Sequence, residues 1–318
     1  MAFYSPPDKE LWKGRLSEES LYIYQRIQFH DLGEALPVSN TDKSIVLLGY
    51  QSDEGVRRNH GRIGTKEGAD AVRKALGSFA DHCEDGAQLF DIGNVVCDDE
   101  NLEDAHELIE EKVKQVLDQN DFPILLGGGH DLAYPHFRGI KNHFIQKGKK
   151  SKIGIINLDA HFDLRKPNPQ RNSGTPFYQI SEEPVDFNYL CLGIQTQANN
   201  KQLYQTAESL NVDYIEIEEF RSDNWQQVEV VIQTFISKVD HIYLTIDLDG
   251  FSSAYAPGVS APSPLGFDPT LALAAMRLIV ESGKLISADI VELNPSFDRD
   301  DQTAKLGARL VSQLINNV

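Results

Sequence analysis

"GIINLDAHFDLR" at residues 154–165 carries an apolar run straight into Asp159, His161 and Asp163, three polar side chains at alternate positions. A short, nearly continuous apolar run bounded by polar residues reads as a strand covered on both faces. Residues i, i+2 and i+4 of an extended chain project to one side. The two carboxylates and the imidazole are therefore expected to converge at the strand's carboxyl end.

Six further runs share this pattern: "SIVLLGY" (44–50), "FPILLGG" (122–128), "YLCLGI" (189–194), "VDYIEI" (212–217), "HIYLTID" (241–247) and "KLISADIVEL" (284–293). Helical periodicity fills the gaps at 66–78, 101–119, 132–146, 200–210, 224–239, 268–280 and 303–316, with Asn101 and Asp268 as N-caps. Alternation of this kind predicts an α/β fold with a mostly parallel sheet and helices on both faces. No internal repeat or linker breaks it. Residues 1–318 read as one domain, with about 1–43 an N-terminal extension packing on it. Ligands of such sheets sit outside the carboxyl ends of the strands.

Two other runs end as the first does. "GGGHD" puts His130 after three glycines, and "TIDLDG" sets Asp247 and Asp249 two apart. Any one cluster would pass for a turn or a helix cap; three at three strand ends point to one site. Four partly buried carboxylates repel one another, and two divalent ions would balance their charge. Oxygen-rich ligands with two imidazoles suit Mn²⁺. A metal pair about 3.5 to 4 Å apart makes hydroxide available near neutral pH, so the implied chemistry is metal-assisted hydrolysis.

Composition narrows the partners. With 30 Lys plus Arg against 48 Asp plus Glu, the net charge of −18 repels polyanions, so no nucleic acid is expected. The one dense basic stretch, "KGKKSK" (147–152), reads as a solvated loop. Cys83, Cys97 and Cys191 are odd in number and lack metal-type spacing, which predicts free thiols. No stretch approaches the ~18 apolar residues of a membrane span, and the acidic, proline-containing N-terminus is unlike a signal peptide. No membrane partner is expected, and the cytoplasm is the expected setting.

"GGGHD", "NLDAHFD" (157–163), "TIDLDGFSSAYAPGVSAPSPLG" (245–266) and "ADIVELNP" (288–295), in this order, resemble the motif set of the ureohydrolases, the arginase and agmatinase superfamily. The resemblance implies a three-layer α/β/α domain around about eight strands, two Mn²⁺ per subunit and a homo-oligomer. It also implies that one metal is held by His130, Asp159, Asp163 and Asp247. The other would take Asp159, His161, Asp247 and Asp249, so that Asp159 and Asp247 bridge. Glu292 matches the family glutamate that grips the amidine or guanidine group, a charge-assisted contact.

Within the superfamily, "DEGVRRNHGRIGTKEGADAVR" (53–73), "DAHFDLR" and "SGTPFYQI" (173–180) look most like the formimidoylglutamase branch. That implies cleavage of N-formimidoyl-L-glutamate to L-glutamate and formamide in histidine breakdown. Phe177 and Ser173 stand where arginases and agmatinases, respectively, carry a histidine, so a histidine proton shuttle is not expected there. Asp163 is the expected proton carrier. Arg165 is expected to clamp one substrate carboxylate, and Arg57, Arg58 or Arg62 the second. Ser173 and Thr175 are expected substrate contacts, while Tyr178 occupies a place where related segments carry arginine. The alternative is an agmatinase or another guanidino hydrolase that releases urea.

Overall fold

The apolar runs become the middle of one sheet in the computed structural model, which describes residues 2–31, 44–84, 86–148 and 150–318. In spatial order the strands are β1 (Ala2–Ser5), β4 (Gln88–Cys97), β3 (Ser44–Gln51), β5 (Phe122–Leu126), β10 (Leu285–Val291), β9 (His241–Asp247), β6 (Ile153–Leu158), β7 (Asn188–Ile194) and β8 (Asp213–Glu216). A two-residue strand, β2 (Gln28–Phe29), lies beside β4. The eight strands from β4 to β8 are parallel throughout, and β1 adds an antiparallel edge.

Successive side chains of a strand leave opposite faces, and each face has its own apolar layer. Ile45 and Leu47 of β3 join the core formed with α3 (Gly68–Gly77), α8 (Trp225–Lys238), α9 (Pro269–Glu281) and α10 (Gln302–Ile315). Val46 and Leu48 join the core formed with α4 (Leu102–Asp118), α5 (Ala133–Gln146), α6 (Pro176–Ser181) and α7 (Lys201–Ser209). The layers are helix, sheet and helix, as the alternation predicted. Asn101 and Asp268 cap α4 and α9 by accepting from the backbone N–H groups of Asp104 and Thr270. Three short helices, α1 (Ile23–Arg26), α2 (Glu54–Arg58) and α6, had no periodic signal to announce them.

Strand β4 escaped the pattern because Asp91 and Asn94 interrupt its apolar run. Both are buried, and Arg73 of α3 makes that tolerable. Its terminal nitrogens donate to Asp91 (2.9 Å), Asn94 (2.6 Å) and the Gly93 carbonyl (2.8 Å), and the Trp12 indole N–H donates to Asp91 at 2.8 Å. Gly93 is required where β1 crosses β4: its φ is 81°, and a Cβ there would lie 2.2 Å from the Ser5 carbonyl oxygen.

The described part of residues 1–43 contributes β1 and β2 and buries Leu11, Trp12, Ile23 and Ile27, while 32–43 lie outside the described residues. In the basic stretch Lys147, Lys150 and Lys152 are exposed, and Lys149 lies outside the described residues. All three cysteines are free thiols. Among the described residues no helix is long and apolar enough to cross a membrane.

Candidate metal centre

Four adjacent parallel strands, β5, β10, β9 and β6, end at the same rim, and each delivers part of one cluster. After β5 the chain turns through Gly127 (φ 79°) and Gly128 (φ 71°) into a short 3-10 helix that begins at His130. A Cβ on Gly128 would lie 2.2 Å from the Tyr50 ring, so glycine there is a packing requirement. Strand β9 ends on Asp247, and Asp249 follows in a 3-10 turn.

Convergence of Asp159, His161 and Asp163 is achieved differently from the expectation. Strand β6 stops at Leu158, so the three do not share an extended face. Instead Asp159 Oδ1 accepts the backbone N–H of His161 at 2.7 Å, and Asp163 adopts a left-handed conformation (φ 48°) that turns the loop back. Asp247 repeats the device, with its Oδ1 accepting the Asp249 N–H at 2.8 Å. In each motif the first aspartate both shapes the backbone and faces the site.

His130 Nδ1 lies 3.2 Å from Asp159, 3.1 Å from Asp163 and 3.1 Å from Asp247, all buried, yet it makes no hydrogen bond. A buried imidazole nitrogen ringed by three acceptors is an arrangement that a cation completes. His161 Nδ1 lies 3.4 Å from both Asp159 and Asp249. Two sets of ligand atoms come within coordinating reach: His130, Asp159, Asp163 and Asp247 in one, Asp159, His161 and Asp249 in the other. They share Asp159. Asp247 groups with the first set alone, whereas the resemblance implied that it serves both.

The electrostatics follow from the crowding of buried carboxylates around two imidazoles. Burial, with repulsion from Asp249 and Asp159, pushes Asp247 well above the usual carboxylate range, and burial likewise pushes Asp249 up to about 6. Glu292 is raised well above its ordinary value by burial and by Asp247. Burial alone would lower His130 and His161, but the surrounding carboxylates outweigh it and raise both. The same two imidazoles hold Asp159 below the usual range despite its burial. The donor set therefore fits two divalent ions.

The cluster opens into a cavity of about 310 Å³. Glu292 lines it from a left-handed position (φ 67°) just past β10, with Oε1 accepting the backbone N–H of His130 at 2.9 Å. Non-glycine residues at positive φ are costly, and here two of them, Asp163 and Glu292, sit in the site. Ser173, Arg62 and Arg165 also line the cavity. Arg62 is held by Ser260 and Val259 carbonyls and lies 3.9 Å over the Phe297 ring. A larger cavity, about 930 Å³ around Phe220, Leu265 and Phe267, contains none of the clustered ligands.

Arg57, Arg58 and Thr175 do not line the metal-side cavity. Both guanidinium groups are drawn to buried Glu54, and Arg58 also pairs with Glu103 and donates to the Glu100 carbonyl. The Thr175 hydroxyl is consumed locally by Asn172 and Gln179. Asn59, missed in the sequence, ties the site together: it donates to Ser173 Oγ at 3.0 Å and accepts from Arg165 at 2.6 Å. Nothing in "RRNHGR" distinguishes it beforehand. Phe177 is fully buried, edge-on to the His130 ring at 5.2 Å and stacked on Tyr189 at 4.4 Å. It packs against His130 without lining the cavity.

Residues 43–316 match the Arginase family. The chain belongs to the arginase family. It is 39% identical over 316 residues, 98% of each chain, to the formimidoylglutamase of Aeromonas salmonicida. The crystal structure of Trypanosoma cruzi formiminoglutamase with Mn²⁺ superposes on this arginase-family chain with a TM-score of 0.79 at 26% identity, covering 90% of this chain and 96% of that one. Formimidoylglutamase from Bacillus subtilis shares the fold, with a TM-score of 0.83 at 21% identity, over 96% of this chain and 94% of the other. This arginase-family chain is an enzyme, a hydrolase.

Proposed function

We propose that this enzyme hydrolyses N-formimidoyl-L-glutamate to L-glutamate and formamide as a single catalytic domain with two Mn²⁺. The observation that carries the reading is one cavity lined by Asp163, Asp247, Asp249 and Glu292 with two arginines, Arg62 and Arg165, on its wall. A substrate with one amidinium and two carboxylates matches that polarity, whereas agmatine has no carboxylate to use the arginines. Full-length similarity to a formimidoylglutamase supports the same choice. A cytoplasmic setting and a homo-oligomeric state belong to this proposal too.

His130, Asp159, Asp163 and Asp247 would hold one ion, and Asp159, His161 and Asp249 the other. Bound there, the ions would supply a hydroxide nucleophile at neutral pH. Glu292 spends one oxygen on the His130 N–H and offers the other to the amidinium, orienting the formimidoyl carbon over the acidic floor. Arg165, steadied by Asn59, takes one carboxylate, and Arg62 the other. Asp163 accepts the proton released on attack and returns it to the glutamate nitrogen, whose bond to the formimidoyl carbon then breaks. Phe177 keeps the wall beside His130 dry.

The test incubates manganese-loaded protein with formimidoylglutamate, agmatine and arginine in parallel. L-Glutamate and formamide are expected from the first and no urea from the others. Urea from either guanidino compound would replace the substrate assignment.

A further inference from the structure

Behind His130, on the side away from the three carboxylates, a chain of buried hydrogen bonds runs into the sheet. His130 Nε2 lies 3.0 Å from Thr245 Oγ1, and Thr245 lies 2.5 Å from Asp289 Oδ1. Asp289 Oδ2 faces the Tyr243 hydroxyl and, at 2.6 Å, His136 Nδ1. His136 Nε2 is 2.5 Å from Ser287 Oγ, which in turn is 3.0 Å from the Pro123 carbonyl oxygen. Thr245, Asp289, His136 and Ser287 are all completely buried.

Donor and acceptor inventory fixes the direction of the hydrogen bonds at Ser287 and Thr245. A carbonyl only accepts, so the single hydroxyl proton of Ser287 goes to Pro123, and Ser287 Oγ must accept from His136 Nε2. His136 Nδ1 closes the chain on Asp289 Oδ2. At the other end, the Thr245 hydroxyl gives its one proton to Asp289 and must accept from His130 Nε2. With Nε2 committed to Thr245, Nδ1 is the His130 nitrogen that faces the three carboxylates.

We propose that Thr245, Asp289 and His136 are positioning residues that lock His130 as a metal ligand through Nδ1. The role rests on the two-metal reading of the site above. Partners of this kind, which orient a ligating histidine, typically change metal affinity by about 10 to 100-fold when lost.

The experiment titrates metal-free protein with Mn²⁺ alone, following the electron paramagnetic resonance signal of free Mn²⁺. Native protein that binds no Mn²⁺ would overturn the metal reading itself. If it binds, Thr245→Val and Asp289→Asn are each expected to weaken the His130 site about 10 to 100-fold, and Thr245→Ser to restore it. Trp12→Phe, which removes a buried hydrogen bond from Asp91, is expected to lower Tm with unchanged Mn²⁺ affinity. Native affinity in Thr245→Val and Asp289→Asn, no rescue by Thr245→Ser, or an equal affinity loss in Trp12→Phe would overturn the proposal. Should either variant at Thr245 or Asp289 fail to fold, ¹⁵N spectra of native metal-free protein decide. A proton on Nε2 of His130 is expected. A bare Nε2 would overturn the assignment.

Discussion

Two buried charged clusters in one sheet are built to opposite ends. At β4, Asp91 accepts from Arg73, from the Trp12 indole and from the Gly93 backbone, so the charge introduced by one side chain is answered by another. At the rim of β5, β10, β9 and β6, four aspartates and Glu292 surround two imidazoles, and His130 Nδ1 has no hydrogen bond at all. Buried charges that serve the fold find their counter-charge within the chain. Those at the rim do not, and the deficit is itself the signature of a site completed from outside.

The sharpest way to break this contrast is to delete one charge from each cluster. Asp247→Ala should abolish hydrolysis, a loss well beyond the 10 to 100-fold expected of outer partners, while the protein stays folded by circular dichroism. Full activity in folded Asp247→Ala protein would remove the rim cluster from the chemistry. Asp91→Asn should do the reverse: it removes the 2.9 Å counter-charge of the buried Arg73 guanidinium, which keeps Asp70 at 3.3 Å, and costs about 1 to 3 kcal/mol of stability in urea unfolding, with Mn²⁺ affinity retained. An undiminished unfolding midpoint would mean that the β4 pair is not a structural one.

Arg165→Ala sharpens the functional side. Losing a charge-assisted contact to a substrate carboxylate should raise KM about tenfold or more, with kcat changed less. A KM equal to that of the native enzyme would place the carboxylate elsewhere.

The smallest expected effect depends on pH. Asp249, whose pKa is pushed up by burial to about 6, binds a proton in the folded metal-free protein at pH values where the unfolded chain has released it. Its contribution to stability is full below about pH 4 and is lost as pH rises through about 6. Metal-free Asp249→Asn, which does not titrate, should therefore gain Tm relative to the native chain between about pH 4 and 7. Added Mn²⁺ should cancel that gain. A pH-independent difference in Tm would contradict the raised value.

How much of this was legible in the sequence follows from the same contrast. Continuous apolar runs marked seven strands and 3.6-residue periodicity marked the long helices, because burial on both faces or along one stripe leaves a local pattern. Strand β4 left none, since its polar centre is satisfied by Arg73 and Trp12, residues distant in sequence. The metal-type residues were readable as DxH and DxD at strand ends. The turns that gather them were not, because a left-handed Asp163 or Glu292 carries no glycine to announce it. Among the arginines, Arg57 and Arg58 could be told apart from Arg62 only once the buried Glu54 was seen between them. Asn59 acts through contacts with residues more than a hundred positions away.

The central claim is the proposed binding of two divalent ions at this rim. Crystals soaked in Mn²⁺ and measured at the manganese absorption edge test it directly. The account predicts two anomalous peaks sharing Asp159, one against His130 and the other against His161. A single peak, or none at this rim with manganese bound elsewhere, would contradict it.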